Sequence, residues 1–119
     1  MLTLASGLRV FVAVDPVDMR GSFDALAGRV RRLGLVPEDG GLYVFFSRRG
    51  HLVKVLYFDR TGWCCFQKRL VLGTFQVPRV PADVRQVAVD GAALTSLLEG
   101  IELRAPRRRW YGRREAGQR

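Results

Sequence analysis

The sequence is poor in the residues from which most enzymes and metal sites are built. It has one histidine, His51, and two cysteines, Cys64 and Cys65, which are adjacent. Adjacent cysteines cannot join without a strained ring, so no structural disulfide is expected. No second cysteine pair is present for a zinc site, and no glycine-rich phosphate loop of the G-x-x-x-x-G-K type occurs. We therefore predict no catalytic residue, no metal, no cofactor and no enzymatic activity.

Acidic residues and long apolar runs are also scarce. The chain has 11 acidic against 20 basic residues, a net charge of +9. Such an excess attracts polyanions, most often nucleic acid and less often a membrane surface. No apolar run approaches the roughly 18 residues of a membrane-spanning helix, and no signal sequence is recognisable. We expect a cytoplasmic protein without a membrane partner.

A metal-dependent nuclease is the enzymatic alternative. Clustered carboxylates can hold two metal ions for phosphoryl transfer. Each aspartate that could serve is better explained as a turn or helix-cap residue, and the group comprises Asp15, Asp18, Asp24 and Asp59. A nuclease of this kind would show metal-dependent cleavage, and we expect none.

The positive charge is concentrated at the C-terminal end. Residues 104–119 contain seven arginines and one acid, a net charge of +6, which leaves +3 for residues 1–103. We therefore divide the chain into a single domain, 1–103, and a basic Arg-rich tail, 104–119. Arginines interleaved with Trp110 and Tyr111 suit phosphates and unstacked bases. The alternative is a solvated terminus whose aromatic pair packs back on the domain.

Residues 42–70 carry the strongest fold signal. Three runs rich in β-branched and aromatic residues are separated by turn sequences at 47–51 and 59–63, which predicts a three-stranded meander. If both turns are three-residue loops with a left-handed glycine, Ser47 pairs with His51 and Asp59 with Trp63. Within the strands, that register sets Phe46 opposite Leu52 and Leu56 opposite Phe66.

The same register has a consequence for the only two lysines of the chain, Lys54 and Lys68. It places them directly opposite each other on one face, which is mildly destabilising for like charges. One reading is that an anion lies between them. The alternative is that both side chains reach out to water.

Two helices are predicted from apolar residues at three- and four-residue spacing, at 18–33 and 91–100. Asp18 and Asp90 are their predicted N-caps, and Gly34 is placed to end the first. Further strands are predicted at 8–14, 75–77 and 84–89. The predicted fold class is α+β: an antiparallel β-meander sheet of four to six strands packed with two short amphipathic helices. Both sheet faces are apolar and need cover from helices, loops or a second subunit.

Several short motifs occur in order along the chain: Asp18-Met19-Arg20 with Phe23-Asp24, Arg48-Arg49-Gly50, Lys54-Val55-Leu56-Tyr57, Asp59-Arg60-Thr61-Gly62, Lys68-Arg69-Leu70 and Leu97-Leu98-Glu99-Gly100-Ile101. In this order they resemble the small accessory protein, TnpB or Orf2-like, of the bacterial transposon family called insertion sequence sixty-six. The resemblance covers residues 1 to about 110. It implies a protein encoded beside a separate transposase and needed for transposition, with no catalytic residues. One departure is Val71, where the family usually has an acid.

We therefore expect a non-catalytic accessory protein of DNA transposition that binds nucleic acid through a basic surface. Its expected partners are transposon DNA, the transposase of the same element and a second copy of the chain. The alternative is an adaptor that docks the transposase or itself through a spare apolar sheet face without touching DNA. The residues expected to contact nucleic acid are basic, with one aromatic in the tail: Arg20, Arg48, Arg49, Lys54, Lys68, Arg69, Arg107, Arg108, Arg109 and Trp110.

Overall fold

A computed structural model describes residues 7–100, which form one five-stranded sheet and two helices. In chain order the elements are β1 (Val10–Ala13), α1 (Phe23–Arg32), β2 (Leu42–Phe46), β3 (Leu52–Phe58), β4 (Trp63–Arg69), β5 (Gln86–Val89) and α2 (Gly91–Glu99). The strands lie in the order β4-β3-β2-β1-β5. Strands β1 and β2 are parallel and are connected through α1, whereas all other neighbours are antiparallel. The α+β prediction is confirmed, but the sheet is mixed rather than a pure meander.

Each face of the sheet has its own hydrophobic core. Helix α1 packs on one face through Leu26, Ala27 and Val30, against Tyr43 and Phe45 of β2. Helix α2 packs on the other face through three leucines, against side chains that include Val44 and Val55. Both faces that the sequence predicted to be apolar are therefore covered by helices of this chain. The apolar face assigned to the adaptor alternative is not a free surface.

Helix α1 begins later than predicted. Its N-cap is Ser22, whose Oγ accepts a hydrogen bond from the backbone N–H of Ala25 at 3.4 Å. The predicted cap, Asp18, lies four residues before Ser22, and its carboxylate accepts hydrogen bonds from Arg20 instead. The C-terminal end agrees with the prediction, because Gly34 follows the last turn with a left-handed φ of +81°.

The register of the first hairpin differs from the prediction by one residue: Phe46 pairs with Val53, not Leu52. Ser47 donates its N–H to the Leu52 carbonyl at 2.9 Å. The Leu52 N–H donates to the Ser47 Oγ at 3.1 Å, and the Ser47 carbonyl accepts from the Gly50 N–H at 3.0 Å. The loop therefore contains four residues, 48–51, instead of three.

The second hairpin is shifted by one residue as well, since Leu56 pairs with Cys65 and not Phe66. Asp59 donates its N–H to the Gly62 carbonyl at 3.0 Å, which leaves a loop of two residues. The residue with positive φ is Arg60, at +86°, and not Gly62 as predicted. A one-residue slip turns every side chain of a strand to the other face. Strand β3 is accordingly inverted relative to the predicted arrangement.

This inversion separates the two lysines. Lys54 lies opposite Gln67, and Lys68 lies opposite Val53, so the two ammonium groups project from opposite faces of the sheet. The predicted juxtaposition of Lys54 and Lys68 is therefore wrong.

The C-terminal half of the described chain contains one further difference. Residues 75–77 do not form a strand; Phe75 instead donates its N–H to the Gly50 carbonyl at 2.8 Å and packs its ring on Phe46. The predicted strand at 84–89 is confirmed as β5, which pairs with β1 at the sheet edge. The predicted cap of α2 is confirmed too, since the Asp90 carboxylate accepts from the Ala93 N–H. Within residues 7–100, no helix is long and apolar enough to cross a membrane.

Candidate nucleic-acid interface

The chain between β1 and α1 runs beside the end of β2. Val17 forms a parallel bridge with Ser47 and donates its N–H to the Phe46 carbonyl at 3.0 Å. Two residues further on, the Met19 carbonyl accepts a hydrogen bond from Lys54 Nζ of β3 at 2.7 Å. These contacts tie segment 17–20 to the sheet and place Arg20 next to the turn at 48–51.

A cleft of about 450 Å³ opens between this segment, the 48–51 turn and the end of β4. Four arginines line it, one from the segment, two from the turn and one from β4, and we call the site the basic cleft: Arg20, Arg48, Arg49 and Arg69. Asp18 is the one acidic residue in its lining, so the formal net charge is +3. The structure thus brings together four of the ten residues predicted to contact nucleic acid.

Asp18 and Arg20 form an ion pair within the cleft. Arg20 Nη2 donates to Asp18 Oδ2 at 2.8 Å, while Arg20 Nε and its backbone N–H donate to Oδ1 at 3.1 and 2.9 Å. The Arg20 side chain holds the pKa of the Asp18 carboxyl well below its usual range, and Asp18 in turn raises the pKa of Arg20. Arg48, Arg49 and Arg69 make no ion pair with any residue of 7–100.

The positive surface continues beyond the basic cleft along α1. A shallow depression joins Arg20 to Arg29 of α1. A neighbouring cleft of about 560 Å³ is lined by Arg29, Arg32 and Arg85, the last of which pairs with Asp15 at 2.6 Å. Neither Arg29 nor Arg32 is among the residues predicted from the sequence to contact nucleic acid. Their three-residue spacing places them on one face of α1, and this spacing could have predicted that they belong to the same surface.

The two lysines have structural partners instead of facing an open site. Lys54 holds the wall of the basic cleft through the Met19 carbonyl, although it does not line the cleft itself. Lys68 donates to the Leu98 carbonyl of α2 at 2.7 Å, on the opposite side of the sheet. The remaining predicted residues lie outside the described range: Arg107, Arg108, Arg109 and Trp110.

The aspartates considered for a nuclease do not gather into a site. Across residues 7–100, no three His, Cys, Asp or Glu side chains come close enough to hold a metal ion. The Asp59 carboxylate accepts from the N–H groups of Thr61 and Gly62, which are turn contacts, and these lower its pKa. Asp15 and Asp18 each pair with an arginine. Their roles in the described structure are those of turn and ion-pair residues.

Comparison with known proteins identifies relatives of the same size. The chain is 42% identical over 111 residues to "Uncharacterized protein y4hO" of Sinorhizobium fredii, covering 92% of this chain and 95% of the relative. It is 29% identical over 103 residues to "Uncharacterized protein y4jC" of the same organism, covering 86% of each. No solved structure matches it. Residues 8–108 match the family described as "IS66 Orf2 like protein". This protein therefore belongs to the IS66 Orf2-like family of transposition accessory proteins.

Proposed function

We propose that this protein assists IS66 transposition by binding DNA, and that the basic cleft holds the phosphate backbone. The observation that carries the proposal is the convergence of four arginines from three separate chain segments on one cleft. Arginine matches phosphate because its planar guanidinium can donate two parallel hydrogen bonds. A cluster of four arginines with one matching acid, Asp18, is also electrostatically unfavourable until a polyanion neutralises it.

The shape of the positive surface favours an extended ligand over a small anion. The basic cleft shares Arg20 with the depression at Arg29, and that depression shares Arg29 with the cleft at Arg32 and Arg85. A duplex presents one phosphate about every 3.4 Å of its axis along each strand, so a surface of this kind can contact several phosphates in succession. Contacts of this type position a protein on DNA but do not read its sequence.

Binding is tested by titrating the full-length chain into a labelled duplex at two salt concentrations. The informative variant is Arg48→Gln/Arg49→Gln, which removes two charges from the turn of the basic cleft. The matched control is Arg9→Gln/Arg31→Gln, which removes two charges that pair with Asp39 and Glu38 beside the start of β2. Affinity of the unaltered protein should fall steeply with salt, and the cleft variant should reduce the slope of log K against log salt by about 2. The control should keep a slope close to that of the unaltered protein.

Two results would reject the proposal. Equal losses from the cleft and control variants would mean that net charge alone drives association. Absence of binding at low salt would favour the adaptor alternative, in which the protein docks the transposase directly. That alternative is tested by co-purification with the transposase in the absence of DNA.

A further inference from the structure

The loop after β4 exposes two adjacent apolar side chains. Val71 is 96% exposed and Leu72 is 87% exposed, the highest values among the large hydrophobic residues of 7–100. The residues that flank the loop behave in the opposite way, because Leu70 packs against the core and Phe75 is 4% exposed within it. Exposed single apolar residues are common on proteins. Two adjacent exposed apolar residues, Val71 and Leu72, between the core-packed residues Leu70 and Phe75 are less common than a single exposed one.

The loop is fixed to the turn that carries Arg48 and Arg49. Leu70 donates its N–H to the His51 carbonyl, and Phe75 donates to the Gly50 carbonyl, both at 2.8 Å. His51 Nδ1 lies 3.1 Å from the Gly73 carbonyl, to which it donates. The turn and the loop are in close contact, because a Cβ added at Gly50 would lie 3.2 Å from the Thr74 Cβ. Hydrogen bonds at Leu70, Gly73 and Phe75 thus fix both ends of the loop to the 48–51 turn, while Val71 and Leu72 lie exposed between them.

The base of this loop adjoins the basic cleft. His51, which anchors the loop, also lines the basic cleft beside Arg49 and Arg69. A partner that covered Val71 and Leu72 and extended across His51 would meet these arginines. DNA satisfies both features, since its phosphates pair with arginine while its stacked bases offer apolar surface between adjacent pairs.

From this juxtaposition we infer that Val71 and Leu72 form a wedge that enters between two base pairs of the DNA held by the basic cleft. The inference rests on the proposed function and adds a binding mode to it. Proteins that insert leucine or similar side chains at a base step unstack it and kink the duplex. Leu72 has the size of such a wedge, and Val71 supports it. The protein would therefore bend the DNA that it binds.

The wedge is tested with a duplex of about 30 bp that carries a central, easily deformed TA step. A donor and an acceptor fluorophore at its ends report bending, and a 2-aminopurine at the step reports unstacking. The variant is Val71→Ser/Leu72→Ser, which changes only exposed side chains and so should leave folding intact. The control is Val36→Ser, which alters a 59% exposed residue in the loop before β2, at the far end of that strand from the 48–51 turn.

Addition of the unaltered protein should bring the duplex ends closer and raise the 2-aminopurine signal. The double variant should still bind, with affinity reduced by about tenfold or less, but should leave both signals near those of free DNA. Val36→Ser should behave like the unaltered protein.

Bending and unstacking that persist in the double variant would overturn the wedge, as would an unaltered protein that binds DNA without changing either signal. In both cases the proposed function would stand. No binding at low salt would reject the proposed function itself. If the double variant binds and bends DNA normally but no longer sediments with anionic vesicles, the loop addresses a membrane surface and the wedge is wrong.

Discussion

Lys54 and Lys68 project from opposite faces of the sheet, and each donates a hydrogen bond of 2.7 Å to a main-chain carbonyl. Lys54 reaches Met19 in the segment before α1, and Lys68 reaches Leu98 in the last turn of α2. Both side chains are partly buried. Each lysine therefore connects the sheet to the element that covers its own face.

Replacing Lys68 by Met should destabilise the protein. The last carbonyls of a helix have no partner within the helix. In α2 the Gly100 N–H donates to the carbonyls of Ser96 and Leu97, and Lys68 Nζ donates to the carbonyl of Leu98. Loss of a charged hydrogen bond at this partly buried position should lower the free energy of unfolding by about 1–2 kcal/mol. Denaturant-induced unfolding measures the change.

The control for Lys68→Met is Arg69→Met, which alters the adjacent, exposed residue on the other face of β4. It should leave the unfolding free energy almost unchanged. A gain in stability for Lys68→Met would contradict the observed register and would favour the arrangement in which the two lysines repel each other.

Lys54→Met should weaken DNA binding although Lys54 does not line the basic cleft. Its ammonium fixes the Met19 carbonyl, so the change releases the wall that carries Arg20. We expect a loss of affinity of about three- to tenfold, with a slope of log K against log salt that changes by less than about 1, because no phosphate contact is removed directly. Salt-dependent titration separates this effect from the loss of a contacting arginine. A slope reduced by about 1 or more, the value for one lost phosphate contact, would mean that Lys54 itself contacts DNA.

The sequence was sufficient to predict elements whose signals are local. The strands of 42–70, the Asp90 cap and the Gly34 stop each depend on residues within a few positions of one another, and all are confirmed. The register was not predictable in the same way. It depends on whether Ser47 pairs with His51 or with Leu52, and the same turn residues are compatible with both loop lengths; the hydrogen bond from the Ser47 N–H to the Leu52 carbonyl shows which pairing forms.

The basic cleft was predicted residue by residue but not as a site. Arg20, Arg48, Arg49 and Arg69 were all selected for their charge, while their convergence depends on contacts between distant segments. The bridge between Val17 and Ser47 is one such contact, and the pairing of Leu52 with Arg69 is another. No periodicity in the sequence specifies either pairing, because the first depends on the parallel packing of β1 beside β2 and the second on the loop length of the β3–β4 hairpin.

Arg60→Gly should stabilise the protein. Arg60 is exposed and has a φ of +86°, a region in which the Cβ of an ordinary residue is strained. Glycine removes that strain, although it also increases the entropy of the unfolded chain, so the net gain should be about 0.5–1 kcal/mol. Thermal or denaturant unfolding checks the prediction. Arg60→Ala is the control, since it removes the charge but keeps the Cβ, and it should show no gain. Equal gains for both variants would attribute the effect to charge rather than to backbone strain.

Asp18→Asn should strengthen DNA binding. The Asp18 carboxylate occupies Arg20 through two side-chain oxygens and adds a negative charge to the basic cleft. Asparagine keeps an Oδ1 for the Arg20 backbone N–H but removes the charge, so Arg20 becomes available to phosphate. We expect affinity to rise about three- to tenfold and the salt slope to steepen by about 1, the value for one added phosphate contact. Because Arg20 keeps the pKa of Asp18 well below its usual range, the carboxylate stays ionised at pH 5–8, and the difference between variant and unaltered protein should be constant over roughly that interval.

The control for this change is Asp39→Asn, which alters net charge equally but frees Arg9 beside the start of β2. A gain confined to Asp18→Asn would show that release of Arg20 within the cleft is responsible. The same gain from Asp39→Asn would contradict it, because a change at the far end of β2 can act only through the net charge of the protein. A gain from Asp18→Asn that disappears as the pH falls from 8 to 5 would also contradict it, since the unaltered protein would then be losing the Asp18 charge well above the lowered pKa that its pairing with Arg20 requires.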